Sequence, residues 1–217
     1  MNRDNAATTG TQSPFSFCAE AFRHPRTVGA VAPSSRALAR ALVHPIRVRS
    51  DGPLTVLEVG AGTGAVTRTI LDVLPPASRL DIVEVSPTFV ARLRDTTRTA
   101  TVAVDIHRTE IEEYRTSRAY DVIISGLPMT NFDPVQVAGI MARFVGLLRP
   151  GGALTYFAYR GTRPARRAFA GSAEARRHAA VDGVMRSYQR AYATGQRTVW
   201  LNLPPARVWH LRRPPAA

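Results

Sequence analysis

Lysine is missing altogether, cysteine occurs once, and no apolar run approaches the ~20 residues that a membrane-spanning helix needs. Cys18 alone can make neither an internal disulfide nor a cysteine-cluster zinc site. Without lysine, no glycine-rich loop can end in the Lys-Ser/Thr of a phosphate-binding P-loop. Aromatic residues are few at 7%, and the 16 acids are outnumbered by 29 arginines. What is present is globular composition. Hydrophobic residues fill 45% and charged residues 21% of 217 positions, which suits one domain with a buried core and excludes wholesale disorder. No signal peptide precedes that core, so the chain is expected to be intracellular and cytoplasmic.

The net charge of +13 has two readings. Attraction to polyanions is one: nucleic acid, an anionic lipid surface or phosphorylated substrates. Coding bias of the source is the other, since the chain is also rich in Ala and Pro and its arginines are spread along its length.

Residues 1–14 are polar, aperiodic and expected to be a disordered tail. Residues 15–50 are expected to form a helical lid or membrane-contact segment. Phe15, Cys18 and Phe22 share a helical face, Pro25 ends that helix, and Ser34-Ser35 would cap another over 36–43. From residue 51 strands and helices alternate. Strands are expected over 54–59, 80–85, 101–107, 121–125 and 152–159, and helices over 65–74, 88–98 and 134–148, with a helical turn at 111–114. An Arg-rich helical insert over 161–197 and a closing pair of strands, 198–203 and 207–212, complete residues 51–217. This pattern predicts an α/β fold with a doubly wound, mostly parallel, seven-stranded Rossmann-like sheet.

Val56-Leu57-Glu58-Val59-Gly60-Ala61-Gly62-Thr63-Gly64 reads as strand, glycine turn and helix start. Such glycines let the backbone approach a ligand closely and aim helix amides at it. The spacing is G-x-G-x-G rather than the dinucleotide G-x-G-x-x-G. Twenty residues after Gly64, Glu84 ends the second strand, where a carboxylate can accept two hydrogen bonds from ribose hydroxyls. The plainer alternative is a tight turn and a solvated acid at a strand end.

In these motifs the chain resembles the class I S-adenosylmethionine-dependent methyltransferases, which release S-adenosylhomocysteine. Their first motif looks like Glu58 to Gly64, which implies cofactor contacts from Glu58, Gly60, Ala61, Gly62, Thr63 and Gly64, with Glu58 near the methionine amino group. The resemblance makes Glu84, with Val85 beside it, the ribose-binding segment. It places Thr109-Glu110 against the adenine amine, although Glu110 could instead be a carboxylate at a helix N-terminus. Ser125, ending the fourth strand, is expected at the cofactor too, and no metal is implied.

Three further segments, Pro25 to Ser35, Ser125-Gly126-Leu127-Pro128-Met129-Thr130-Asn131-Phe132 and Asn202 to Trp209, resemble the bacterial phospholipid N-methyltransferases, which methylate phosphatidylethanolamine stepwise. Met129 follows Pro128 where base-methylating enzymes place an aromatic residue, which speaks against nucleic acid as acceptor. Ser125, Asn131 and Tyr159 are the candidate catalytic residues around the amine. Asn131 could instead bond its own turn, and Tyr159 could simply pack at the sheet end. His107 is a further candidate base. A lipid acceptor would suit an anionic membrane as peripheral partner. Phe15, Phe17 and Phe22 beside Arg23 and Arg26 would lie at the interface, and Arg163, Arg166, Arg167, Arg176, Arg177, Arg186 and Arg190 would add attraction. The 161–197 segment looks longer than the family's, which keeps a soluble amine open as acceptor. A cofactor-binding scaffold or nucleic-acid-binding protein without this chemistry is the rival of another class.

Overall fold

A computed structural model describes residues 35–49, 51–159 and 172–216. The expectations for Phe15, Cys18, Phe22 and Arg163–Arg167 lie outside these residues. Two short helices come first, α1 (Arg36–Leu42) and α2 (His44–Arg47). Ser35 caps α1 by accepting from the Leu38 amide, and Pro45 occupies the first turn of α2, where no amide donor is needed. Then follow β1 (Thr55–Val59), α3 (Ala65–Leu71), β2 (Arg79–Val83), α4 (Pro87–Thr97), β3 (Ala103–His107) and β4 (Tyr120–Ser125). After a 3-10 turn at Met129–Asn131 come α5 (Pro134–Leu147), β5 (Leu148–Tyr159), α6 (Ser172–Tyr192), β6 (Ala193–Val199) and β7 (Ala206–Arg212).

The seven strands form one sheet in the order β3-β2-β1-β4-β5-β7-β6. The first five are parallel, while β7 runs antiparallel to both β5 and β6. The doubly wound, mostly parallel, seven-stranded expectation is met. Strand β1 is a nearly unbroken apolar run because helices cover both of its faces. On one face Val56, Leu80, Ile82, Val122, Ile124 and Val208 pack with Leu38 and Leu42 of α1, Ile70 of α3 and Leu93 of α4. On the other lies α5, whose buried stripe Val137, Ile140, Met141 and Phe144 follows helical spacing. Asp133 and Gln136 form a capping box that starts α5. Helix α6 joins that side, with Gln189 donating to the Tyr156 hydroxyl of β5 at 2.8 Å.

The closing strands need correction. The first of them occupies Ala193–Val199, straight after α6, and residues 200–203 belong to the connection to β7 rather than to a strand. Of the 161–197 insert, Ser172–Tyr192 is helical and the residues from 193 belong to β6. Being at the sheet edge, β6 buries only Val199 and has no apolar alternation to read.

Candidate functional site

Parallel α/β sheets bind ligands beyond the carboxyl ends of their strands. In this sheet the ladder bonds run past those ends. Gly60 donates to the Val83 carbonyl at 2.9 Å, Glu84 to that of His107 at 3.1 Å, and Gly126 to that of Val59 at 2.8 Å. The loops after β1, β2, β3 and β4 are thereby held side by side at one edge.

The loop after β1 owes its path to left-handed glycines, with φ of 71° at Gly60, 54° at Gly62 and 76° at Gly64. At Gly126, a Cβ atom would stand 2.5 Å from the Gly60 carbonyl oxygen, so the turn after β4 can touch the glycine loop only as glycine. Gly62 is the opposite case. A Cβ there would meet nothing within 4 Å among the described residues, so the centre of the loop borders open space between them.

Two buried acids frame that loop. Glu84 is pinned through both oxygens: Oε2 accepts from the Gly62 amide at 2.9 Å and Oε1 from the Ser86 amide at 2.9 Å. A carboxylate has about four lone-pair sites, so each oxygen can still accept from another donor. Glu58, on β1 and 1% exposed, accepts from the Thr67 hydroxyl of α3 at 2.7 Å. Burial pushes its carboxyl up to about 8; the Thr67 bond opposes that shift and nearby Glu84 adds to it. At neutral pH such a group favours a cationic neighbour, which would restore its charge. The open space at Gly62, the spare acceptors of Glu84 and the cation-seeking Glu58 fit S-adenosylmethionine, which carries ribose hydroxyls and an ammonium.

Val85 is half-buried just after Glu84, and Ala61 and Thr63 lie within the glycine loop. Thr109 and Glu110 follow β3 at the same edge, where the Glu110 carbonyl accepts the Glu113 and Tyr114 amides and opens the expected helical turn. Ser125 is fully buried, and its hydroxyl accepts from the Leu127 amide at 3.3 Å, fixing the turn after β4. Asn131 is half-buried in the 3-10 turn, and its amide donates to the Pro128 carbonyl at 2.8 Å. Tyr159 ends β5 at this edge, and its ring meets that of Phe157 edge-on at 5.2 Å. Register places Tyr159 on the face of Glu58 and Ser125 on the opposite face. Burial raises the Tyr159 phenol above its ordinary value, so it stays protonated through neutral pH. His107 ends β3 beside the Tyr114 ring at 4.9 Å, with its Nε2 buried and without a hydrogen-bond partner among the described residues.

Sequence reasoning missed several supporting residues. Thr67 was discoverable, because a strand acid buried under a helix needs a donor from that helix. The spacing from Glu58 to the first turn of α3 supplies one. Arg177, grouped with the arginines that would attract lipid, donates to the carbonyls of Thr130 at 3.1 Å and Phe132 at 2.9 Å, clamping the turn that carries Asn131. Arg176, Arg186 and Arg190 remain exposed on α6.

A methyltransferase domain family matches residues 56–152, from β1 into β5. An ornithine lipid N-methyltransferase from Singulisphaera acidiphila is 32% identical over 123 residues, covering 54% of this chain and 63% of that protein. A malonyl-[acyl-carrier protein] O-methyltransferase from Acetivibrio thermocellus is 28% identical over 134 residues, covering 62% of this chain and 46% of its own. The chain thus spans about half to two thirds of the length of these relatives. The N-methyltransferase NodS from Bradyrhizobium japonicum, solved with S-adenosylhomocysteine, superposes with a TM-score of 0.62 at 21% identity, over 85% of this chain and 89% of that one. At that identity the likeness establishes the fold. Residues 56–152 therefore match a methyltransferase domain family, and they lie in a Rossmann-like sheet whose strand ends carry residues fit for S-adenosylmethionine.

Proposed function

We propose that the chain is an S-adenosylmethionine-dependent N-methyltransferase acting on the amine of phosphatidylethanolamine or a related aminolipid. The observation that carries the cofactor is the open left-handed glycine loop, tied by its Gly62 amide to buried Glu84 and flanked by buried Glu58. The acceptor is supported by the ornithine lipid N-methyltransferase relative.

When bound, the cofactor supplies a methyl group made electrophilic by a sulfonium. Glu84 would hold the ribose hydroxyls, Glu58 would face the methionine ammonium, and Thr109-Glu110 would lie at the adenine. The chain's remaining task is to present an amine with a free lone pair. A primary ammonium has a pKa near ~10, so exposing that lone pair at neutral pH costs about 4 kcal/mol. Positioning and exclusion of water are the means available here. Tyr159, protonated at the end of β5, accepts a hydrogen bond from the ammonium or offers its ring face to the methylated product. Asn131, on the turn clamped by Arg177, orients the acceptor, and Ser125 holds that turn from below. Membrane contact is peripheral in this reading, and among the described residues no helix is long and apolar enough to cross a membrane.

The test is methyl transfer from labelled S-adenosylmethionine to phosphatidylethanolamine, an ornithine-containing lipid, ethanolamine and unrelated soluble amines. Labelled lipid is the expected product. Transfer to soluble amines alone would replace the acceptor, and no transfer to any amine would overturn the reading.

A further inference from the structure

Five large apolar side chains stand exposed among the described residues, and three of them fall in the connection between β6 and β7, residues 200–205. Trp200 is 68%, Leu201 85% and Leu203 82% exposed, whereas Asn202 between the leucines is 4% exposed. The Asn202 side chain accepts from the Ser35 amide at the start of α1 at 3.1 Å and donates to the Pro204 carbonyl at 2.8 Å. The buried amide thus ties the connection to α1 and to Pro204 while the leucines before and after it stay exposed. Exposing three such side chains is costly in water unless something covers them.

The place of this connection in the sheet gives it meaning. Because β7 is antiparallel to β5 and Ala206 pairs with Tyr159, residues 200–205 emerge at the carboxyl end of β5. That is the edge holding the glycine loop, Glu84 and the turn of Asn131. Basic residues rim it: exposed Arg36 follows Ser35, Arg197 lies three residues before Trp200, and Arg207 pairs with Thr198. Apolar side chains at a tip, flanked by arginines on a chain of net charge +13, complement an anionic lipid surface.

We propose that Trp200, Leu201 and Leu203 insert into the headgroup–acyl boundary of an anionic membrane, docking the protein with its cofactor edge towards the lipid. The inference rests on the aminolipid reading for its purpose, since this orientation brings a headgroup amine to the strand ends. It differs from the expectation for residues 15–26, because the docking element is the β6–β7 connection.

The chain has two tryptophans, so Trp209→Phe leaves Trp200 as sole reporter. Full-length protein is mixed with phosphatidylglycerol–phosphatidylethanolamine vesicles, with or without bromine on the acyl chains. The expected result is a blue shift of Trp200 emission and quenching by the brominated lipid, both weakened by salt. Leu201→Ser with Leu203→Ser should lower vesicle partitioning roughly tenfold per leucine, with thermal melting and S-adenosylmethionine affinity unchanged. Methylation of vesicle lipid without quenching would overturn the docking inference while sparing the acceptor. Quenching without methylation of any aminolipid would support the docking while the acceptor reading fails. An emission shift that follows protein concentration in the absence of lipid would assign the loop to contact between copies and overturn the proposal.

Discussion

Glu58→Gln isolates the cost of a buried acid. The native carboxyl titrates at about 8 against an ordinary value of 4.5, because burial disfavours its charge. The sign follows from proton counting. Between those values the folded chain still holds a proton that the unfolded chain has released, so stability falls as pH rises. Below the lower value both states are protonated, and above the upper value both are ionised and the loss is complete. One such group changes stability by about 1.4 kcal/mol per pH unit, or roughly 3 kcal/mol from about pH 5.5 to about pH 7.5. For a chain of this length that is roughly 5–10 °C in melting temperature. Glutamine keeps the shape and can accept the Thr67 hydroxyl bond, but it has no proton to lose. Melting curves of the two proteins across this range should therefore diverge, with the glutamine variant increasingly favoured towards high pH. Histidines are common to both and cancel in the difference. With saturating S-adenosylmethionine the wild-type slope should flatten, because the ligand's ammonium offsets the buried charge, while the variant should not respond. Parallel curves without ligand, or a gap that closes as pH rises, would show that Glu58 is ionised without penalty and refute the reasoning.

Glu84→Ala strips acceptors from the Gly62 and Ser86 amides, worth roughly 1.5–3 kcal/mol each, and should lower both melting temperature and calorimetric affinity for S-adenosylmethionine. Unchanged affinity would remove Glu84 from the ribose site. Gly62→Val forces a branched residue into the left-handed region and fills the open space at the loop, so cofactor affinity should fall by more than the ~1–2 kcal/mol of backbone strain seen in stability. Equal losses would mean that the space is not used by the ligand. Tyr159→Phe should lower turnover with S-adenosylmethionine binding nearly intact, and Asn131→Ala should do likewise. Wild-type rates in both variants would move the acceptor site elsewhere, most directly towards α6.

The frame of the fold was legible because buried parallel strands leave continuous apolar runs. Val56–Val59 and Val122–Ile124 are nearly solvent-free, and both were readable as strands to within a residue or two. The glycine loop was legible because left-handed backbone at Gly60, Gly62 and Gly64 leaves a compositional mark. Strand β6 was misplaced for the converse reason. Its residues Ala193 to Arg197 are exposed and lack alternation, whereas Trp200 and Leu201 prolong the apolar run beyond buried Val199 while standing in solvent. Apolar side chains exposed at a connection carry the same pattern as buried ones, and periodicity cannot tell them apart.

The same contrast divides the candidate site. Its cofactor half is dictated by backbone geometry, in which φ values, ladder ends and the Gly126–Gly60 contact permit few residue types. Its proposed acceptor half is assembled by side chains reaching backbone carbonyls and amides across long sequence separations. Arg177 holds Thr130 and Phe132 from 47 and 45 positions away, and Asn202 holds Ser35 from 167 away. A backbone group pairs with any side chain of the right reach, so such bonds impose no spacing that a sequence can display. They also leave acceptor choice free to vary without disturbing the cofactor. Exchanges within 172–203 should accordingly change which amine is methylated, whereas exchanges within 58–64 should change whether any is.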